Sequence, residues 1–250
     1  MRAISTACRL LLVATFTFVP LSGEPAKLLR VSIPSTAAAN SPKSPLDCPP
    51  EGKGGDPDLN RQKNRVQAPA KLRDVSFDQI VKLNRIAVNK KGRQTWTDAE
   101  RQQVAEVENG DRVAVVGYIF DAKYSVPETC NCSFTAEPWL DFHIWLVRDR
   151  RNADKSKSFV VEMTPRVRQQ HPGWTVKKLR SLIPPRAWTM VRVGGLMTFD
   201  SEHWNFVRDG LRATVWEIHP VFQFWVCSTG TNCDPARTEG WKLLDDITEP

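Results

Sequence analysis

The chain has 250 residues, of which 41% are hydrophobic and 25% charged, and its formal net charge is +7. This length allows one or two domains. Its longest apolar run covers only about a dozen residues, well short of the ~20 that cross a bilayer, and the positive charge favours anionic partners over cationic ones.

The N-terminus predicts a secretory signal peptide over residues 1–23. Arg2 and Arg9 precede the apolar run Leu10–Leu21, and small residues follow it. This order of a basic region, a short apolar region and small residues is typical of signal peptides, and an uncleaved anchor is the alternative. We therefore expect an exported protein, either periplasmic or secreted.

Residues 24–70 predict a linker. They hold eight of the eighteen prolines of the chain and almost no aromatic residue, which leaves too little apolar surface to offset the entropy of ordering. The polar stretch Gly55–Arg65 is the exception, since it has the composition of an arm that docks on the following domain.

Residues 71–107 predict a helical lead-in made of two short helices. The stretches Ser76–Gln79 and Thr97–Glu100 both have the capping-box pattern, in which a hydroxyl and a side chain three residues later cap each other's backbone. We expect the second helix to end before Asn109, where an Asn-Gly pair follows.

Residues 108–226 predict a barrel, because the hydrophobic period changes from helical to alternating after Asp111. The order is three strands, one helix and two strands, with Gly117 marking a bulge or sharp coil in the first strand. That order is typical of the five-stranded OB-fold, and a generic α+β sheet is the alternative. The later strands are expected at 139–147, 158–164, 188–198 and 212–226, with the helix at 174–183.

The strand at 139–147 has two contrasting faces. Its apolar face is the predicted barrel interior and consists of Leu140, Phe142, Ile144 and Leu146. Its other face carries Trp139, Asp141, His143 and Trp145. Either this face binds a ligand by stacking, or the 71–107 helices cover it while Asp141 holds His143.

A polar cluster is predicted from the third and fifth strands. Glu162 lies in an apolar run, and Glu217 and His219 share one face of the last strand. Because an unpaired buried carboxylate is costly, we expect Glu162, Glu217 and His219 to lie within reach of each other or of Arg166. His203, in a predicted turn, is a further candidate. Histidine nitrogen and carboxylate oxygen suit zinc or manganese, so a divalent metal is one interpretation and a structural network is the other.

A basic patch extends from Arg148 to Arg186, with eleven Lys or Arg against three acidic residues. Such a patch favours an anionic partner, for example nucleic acid or a glycan, and Arg150, Arg151 and Arg166 are its candidate contacts. A solvated loop that only keeps the chain soluble is the alternative.

The cysteines predict a small disulfide loop between Cys227 and Cys233 in a C-terminal tail at 227–250. Cys130 and Cys132 leave two alternatives open, namely a bond from one of them to Cys48 or ligation of a metal. Disulfides agree with an oxidising compartment.

Four short motifs together resemble a family of exported bacterial proteins of unknown function. They are G-D-P-D-L-N-R at 55–61, E-M-T-P-R at 162–166, D-S-E-H at 200–203 and W-E-I-H-P at 216–220. The similarity covers roughly residues 55–226 and implies no activity. It implies that these residues belong to the family pattern: Asp141, His143, Glu162, Arg166, His203, Glu217 and His219.

Two functions follow from these features. The first is an exported OB-type module that binds an anionic polymer or carbohydrate. The alternative is a metal-dependent hydrolase, of the phosphoesterase or nuclease type, that uses the histidines and carboxylates. The sequence has no H-E-x-x-H, G-x-S-x-G or phosphate-binding glycine loop. It therefore leaves open whether the protein is an enzyme, and a purely structural envelope protein is a third class.

Overall fold

The computed structural model of this chain describes residues 44–110, 112–183 and 189–249. The predicted signal peptide, the first part of the predicted linker and the residues around Arg186 lie outside these ranges. The helices are α1 Pro57–Lys63, α2 Phe77–Lys82, α3 Asp98–Gly110, α4 Pro165–Arg168, α5 Val176–Ser181 and α6 Trp204–Arg208. The strands are β1 Arg73–Val75, β2 Arg112–Tyr124, β3 Phe142–Val147, β4 Phe159–Met163, β5 Met190–Phe199, β6 Trp216–Cys227 and β7 Trp241–Leu243.

Five of these strands close a barrel in the order β2-β3-β4-β6-β5, because β5 pairs back to β2. The β4–β6 pair is parallel and the other pairs of the barrel are antiparallel. Helix α5 lies between the third and fourth barrel strands in the chain. The predicted OB-like barrel is therefore confirmed, with β1 added in parallel to β2 and β7 added to β6.

The barrel interior is apolar, and β3 contributes to it on the predicted face. Phe142, Ile144 and Leu146 all belong to the buried core. The strand begins later than expected, because Trp139 lies in a short 3₁₀ turn at Glu137–Trp139. A proline inside that turn removes a backbone donor that a strand needs.

Gly117 does not mark the irregularity of the first barrel strand. The register of β2 against β3 shifts between Ile119 and Asp121 instead. A Cβ atom at Gly117 would lie 3.0 Å from ring carbons of Phe77 and 3.0 Å from the carbonyl oxygen of Val147. The glycine therefore allows α2 to pack closely on the barrel.

Both predicted capping boxes form. The Gln79 backbone N–H donates to the Ser76 hydroxyl, and the Gln79 side chain accepts from the Ser76 N–H at 2.8 Å. In the second box the side chain of Glu100 accepts from the Thr97 N–H at 2.7 Å. Helix α3 extends to Gly110 rather than ending before Asn109, as its last turn packs near β5 and buries Glu108, which accepts from the Phe199 N–H.

The segment at 44–66, called the arm below, is not a free linker. Its Cys48 forms a disulfide with Cys132, and Leu59 is fully buried. The Arg166 guanidinium donates to Asn64 Oδ1 at 2.9 Å and to the Cys48 carbonyl. Covalent attachment and buried polar contacts thus replace the large apolar surface that the arm lacks.

The cysteines of the described residues form two disulfides, Cys48–Cys132 and the predicted Cys227–Cys233. Cys130 is free and buried, so Cys132 is the partner of Cys48. No helix within the described ranges combines the length and the apolar character that crossing a membrane requires.

Candidate functional site

The candidate site lies on the outer face of the β3, β4 and β6 wall, beneath the arm. Strand alternation turns Glu162 and Glu217 away from the core while their neighbours Val161 and Ile218 point into it. His143 and Glu162 are direct partners across β3 and β4. The site, called the buried acidic cluster below, consists of Lys63, Glu128, Asp141, His143, Glu162, Asp200, His203, Arg212, Glu217 and His219.

His219 links three carboxylates of the cluster. Its Nδ1 lies 3.1 Å from Glu217 Oε1 and 3.2 Å from Glu162 Oε2. Its Nε2 faces Asp141 Oδ2 at 3.6 Å. The structure thus brings together Glu162, Glu217 and His219, as the strand pattern predicted, and it adds Asp141. All four side chains are fully buried.

His143 bridges two carboxylates near the edge of the cluster. Its Nε2 lies 3.0 Å from Glu162 Oε2 and 3.1 Å from Glu128 Oε1. Asp141 was expected to hold this imidazole, but the Asp141 carboxylate instead accepts from Asn131 Nδ2 at 3.0 Å. The side chains of His143 and Glu128 are 10% and 12% exposed, so the cluster reaches the surface here.

The opposite half of the cluster is organised around Lys63. Its ammonium lies 3.0 Å from Asp200 Oδ2 and 3.1 Å from Glu128 Oε2. His203 Nδ1 contacts the same Asp200 carboxylate. Arg212 Nη2 donates to Glu217 Oε2 at 2.8 Å, which leaves the other oxygen of Glu217 to His219.

Several buried polar atoms of the cluster have no hydrogen-bond partner among the described residues. They are Asp141 Oδ2, both carboxylate oxygens of Glu162, and His219 Nε2. The two imidazoles stand close to Glu162, but not in hydrogen-bond alignment with its oxygens. Buried groups of this kind are rare in native proteins, and each one calls for a missing partner.

Burial and mutual repulsion perturb the acid–base equilibria of the cluster. Burial, reinforced by the Glu128 charge, raises the pKa of Asp141 to about 7. Burial alone would lower the pKa of His143, but the Glu162 and Glu128 carboxylates outweigh it and raise that pKa well above its ordinary value. Perturbed groups of opposite kind in one cluster are typical of functional sites.

Negative charge exceeds fixed positive charge in the cluster. Its carboxylates are Glu128, Asp141, Glu162, Asp200 and Glu217, and its permanent cations are Lys63 and Arg212. With neutral histidines, five negative charges thus face two positive ones. A low-dielectric site cannot keep such an excess uncompensated. Protons on the histidines or on Asp141, or a bound cation, must supply the balance.

The ligand atoms have the spacing that a single metal ion needs. In the set of Asp141, Glu162 and His219, called the His219 centre below, the three donor atoms lie within 4.8 Å of one another. A second set of Glu128, His143 and Glu162 shares Glu162 with it. Two further sets meet the same criterion, Glu128 with Cys130 and Asp141, and Asp200 with His203 and Glu217.

The predicted aromatic binding face does not form an open platform. Trp145 is 5% exposed, and the ammonium of Lys155 lies 4.3 Å from its ring centroid. Lys123 stands 5.3 Å from the same ring. Trp139 is half-buried against Phe134 in the turn that precedes β3. Two lysines thus shield the Trp145 ring, which leaves little of it open for stacking.

The predicted basic patch divides into exposed and buried members. Arg150 and Arg151 are exposed, and Arg151 pairs with Asp149 at 3.3 Å. Arg166 is buried and holds the arm, so it neither joins the cluster nor faces solvent. Lys178 is also buried, where its ammonium donates to the Leu244 carbonyl.

Sequence reasoning missed Lys63, Glu128, Asp200 and Arg212. Lys63 and Glu128 lie in segments without a hydrophobic period, so no strand or helix face indicated where they point. Asp200 had a signal, because it opens the D-S-E-H motif and a carboxylate three residues before a histidine often pairs with it. The arm motif G-D-P-D-L-N-R ends two residues before Lys63, which was a weaker signal.

Comparisons with protein-family models, with curated proteins and with solved structures find no match for this chain. The resemblance to an exported bacterial family therefore stays a prediction from four short motifs. What the protein does must be argued from the buried acidic cluster itself.

Proposed function

We propose that this protein is an exported OB-type binding module whose ligand is a divalent metal ion held in the His219 centre. Asp141, Glu162 and His219 are the ligands. Export is part of the proposal and is supported by the signal-like N-terminus and by two disulfides. The family resemblance, which is to exported proteins, points the same way.

The observation that carries the proposal is the convergence of unpartnered atoms. Asp141 Oδ2, His219 Nε2 and the Glu162 oxygens are all buried without hydrogen-bond partners among the described residues, and Asp141, Glu162 and His219 each offer one ligand atom within 4.8 Å of the others. With the Nδ1 proton directed at Glu217, His219 Nε2 is an acceptor that faces Asp141 Oδ2 at 3.6 Å, and a metal ion between the two atoms would serve as the shared partner of both. One metal ion satisfies all three side chains at once.

Charge supports the same assignment. A divalent ion removes two of the three uncompensated negative charges, and protonation of His203 beside Asp200 removes the third. In agreement, burial lowers the pKa of His203, but Asp200 outweighs it, so that the pKa is raised overall. Burial lowers the pKa of His143 and of His219, but Glu162 outweighs it and raises both overall, so a metal ion has to displace the imidazole proton when it binds.

The donor set selects the kind of ion. One imidazole nitrogen and two carboxylate oxygens suit zinc and manganese, whereas calcium prefers oxygen ligands alone. The arm and the β-barrel wall enclose the His219 centre, because its three side chains are fully buried. Three protein ligands leave a coordination position for water, but the burial of all three leaves little room for a substrate.

A metal-dependent hydrolase is the second candidate, and one observation favours it. The set of Glu128, His143 and Glu162 shares the ligand Glu162 with the His219 centre. Its members His143 and Glu128 are partly exposed, so water can approach the cluster beside them. A catalytic site needs a metal position open to water and substrate. The burial of the His219 centre supports the binding function more strongly.

The test is the metal content of protein purified without a histidine tag. We expect about one zinc or manganese ion per chain, and loss of that ion in His219→Asn, Glu162→Gln and Asp141→Asn. His171→Asn is the matched control, because His171 pairs with Asp245 at 3.0 Å on the surface and touches no cluster residue. A wild-type protein without bound metal after reloading contradicts the proposal.

Hydrolysis is measured on the same preparations with bis-p-nitrophenyl phosphate. Turnover that requires both the metal and His143 would establish the second candidate, since His143 stands at the open edge. Metal binding without turnover leaves the binding module as the function.

A further inference from the structure

The Lys63 half of the cluster has the form of a second cation position. Asp200, His203 and Glu217 offer ligand atoms within 4.8 Å of one another. The Lys63 ammonium lies among them, 3.0 Å from Asp200 Oδ2 and 4.0 Å from Glu217 Oε1. Glu128 Oε2 lies 3.1 Å from the same nitrogen. A positive charge of the chain thus stands between carboxylates with metal-ligand spacing.

An ammonium is chemically suited to this substitution. It is a compact point charge with three donors, and here three carboxylates surround it. These carboxylates, Asp200 and Glu128 within 3.1 Å and Glu217 at 4.0 Å, compensate for the burial of its positive charge.

The lysine reaches this position only as part of the arm. It is the last residue of α1, whose first turn is capped by Asp56. The Asn60 side chain of the same helix donates to the Glu51 and Gly54 carbonyls at 2.8 and 2.9 Å. Because Cys48 ties the arm to Cys132, the covalent structure holds the lysine over the cluster.

We propose that Lys63 is a built-in substitute for a second divalent ion, so that a ligand set with room for two metal ions takes up only one. Asp200, Glu217 and His203 form the second position, with Glu128 beside it. This inference rests on the proposed function, because the first position is the His219 centre. The ion that the second position would take is again of the zinc or manganese class, given its carboxylate and imidazole donors.

A purely structural salt bridge is the competing explanation. Under it, removal of Lys63 leaves buried carboxylates unpaired and only destabilises the fold. Under the proposal, the same removal opens a metal position, and a divalent ion compensates for the lost charge. Metal stoichiometry therefore separates the two explanations.

The experiment compares wild type, Lys63→Ala and Lys63→Arg, each purified untagged, loaded with manganese(II) or zinc(II) and desalted. We expect about one ion per chain in wild type and in Lys63→Arg, which keeps the charge, and about two in Lys63→Ala. Adding Asp200→Asn to Lys63→Ala should return the count to one. A folded Lys63→Ala protein that still binds a single ion overturns the inference.

The outcomes remain informative if Lys63→Ala does not fold without metal. Refolding is then attempted with and without manganese(II), and recovery of the native circular dichroism spectrum only with the ion supports the inference. Failure to recover with the ion overturns it. If wild type binds no metal while Lys63→Ala binds one, the proposed function fails and the second position stands.

Discussion

The two faces of the same barrel wall differ in what stabilises them. On the inner face of β3 and β4, Phe142, Ile144 and Val161 pack into the core and need only area and shape. On the outer face, Glu162 is as buried as these residues and His143 nearly so, but both need charge partners and a covering arm. Burial of the apolar side chains on the inner face stabilises the fold. Burial of the charged side chains on the outer face costs free energy unless each charge has a partner.

This contrast teaches where function can reside in a small barrel. The residues of the inner face can be predicted from the local sequence, because the alternation of side chains along a strand decides which of them point into the core. The outer face depends on Lys63 from the arm, on Glu128 from a loop and on Asp200 from a turn. A polar site built from so many distant segments is costly to maintain, and such a cost is expected where the residues serve a ligand.

The largest effect is expected from damage to the inner face. Phe142→Ala removes a fully enclosed ring and should lower the free energy of unfolding by about 3–5 kcal/mol through transfer and cavity terms. Urea denaturation measures this loss. Val126→Ala, at a side chain 72% exposed, is the control and should stay within ~0.5 kcal/mol. An equal effect of both substitutions would contradict the assignment of the faces.

The cover of the outer face should respond to its disulfide. Replacing Cys48 and Cys132 by serine removes a link between residues 84 apart, and we expect a loss of about 4 kcal/mol from the chain-entropy term. The pair Cys227 and Cys233, only 6 residues apart, should cost about 2 kcal/mol. Thermal unfolding of both double variants gives the comparison. If loss of Cys227–Cys233 lowers the stability more than loss of Cys48–Cys132, the attachment of the arm contributes little to the stability of the fold.

The outer face should also make the stability of the protein depend on pH, because it carries titratable groups and the apolar inner face does not. Burial and the Glu128 charge raise the pKa of Asp141 to about 7, so the folded protein keeps a proton that the unfolded chain releases near pH 4. In between, the folded state binds more protons at Asp141, so the contribution of Asp141 to the stability of the metal-free protein falls as the pH rises from about 4 to about 7.

Asp141→Asn tests this dependence, because the amide cannot titrate. The variant should be more stable than wild type by about 1–3 kcal/mol near neutral pH without metal, and the difference should vanish below about pH 4. With metal, the order should reverse, since only the carboxylate is a ligand. Urea titrations at several pH values measure both effects. A variant that is less stable than wild type at neutral pH without metal would show that Asp141 is already fully compensated.

The sequence predicted one face of the wall well and the other in part. Period-two alternation placed Phe142 inside and His143 outside, and it directed Glu217 and His219 to one side of β6. It failed for Trp139, where a proline turn delays the strand. It gave no indication that Arg166 anchors the arm, because what a side chain meets outside a barrel depends on tertiary contacts that no local pattern encodes.

The arm shows why these tertiary contacts were out of reach. Its proline-rich composition predicts a linker, and its order comes from one disulfide and a few buried polar groups. Cys48 was recognised as a partner for either Cys130 or Cys132, but the pairing fixes the position of Lys63 only once the fold is known. The sequence therefore offered no means of predicting that Lys63 lies in the cluster, whereas it predicted some of the carboxylates, among them Glu162 and Glu217.

The smallest effect on stability, and the sharpest test of the remaining outer surface, concerns the exposed basic residues. Arg150 and Arg151 are exposed, whereas Lys155 is half-buried over the Trp145 ring, so reversing all three to Glu should lower the free energy of unfolding by about 1 kcal/mol, mainly through loss of the Lys155 contact. If this surface binds a polyanion, wild type should bind heparin or single-stranded DNA with an affinity that falls steeply with salt, because counterions are released. The triple variant should then lose binding and keep the metal content of wild type. Loss of metal in that variant would link the surface to the buried acidic cluster, whereas salt-independent or absent binding by wild type would reduce these residues to a solvated loop.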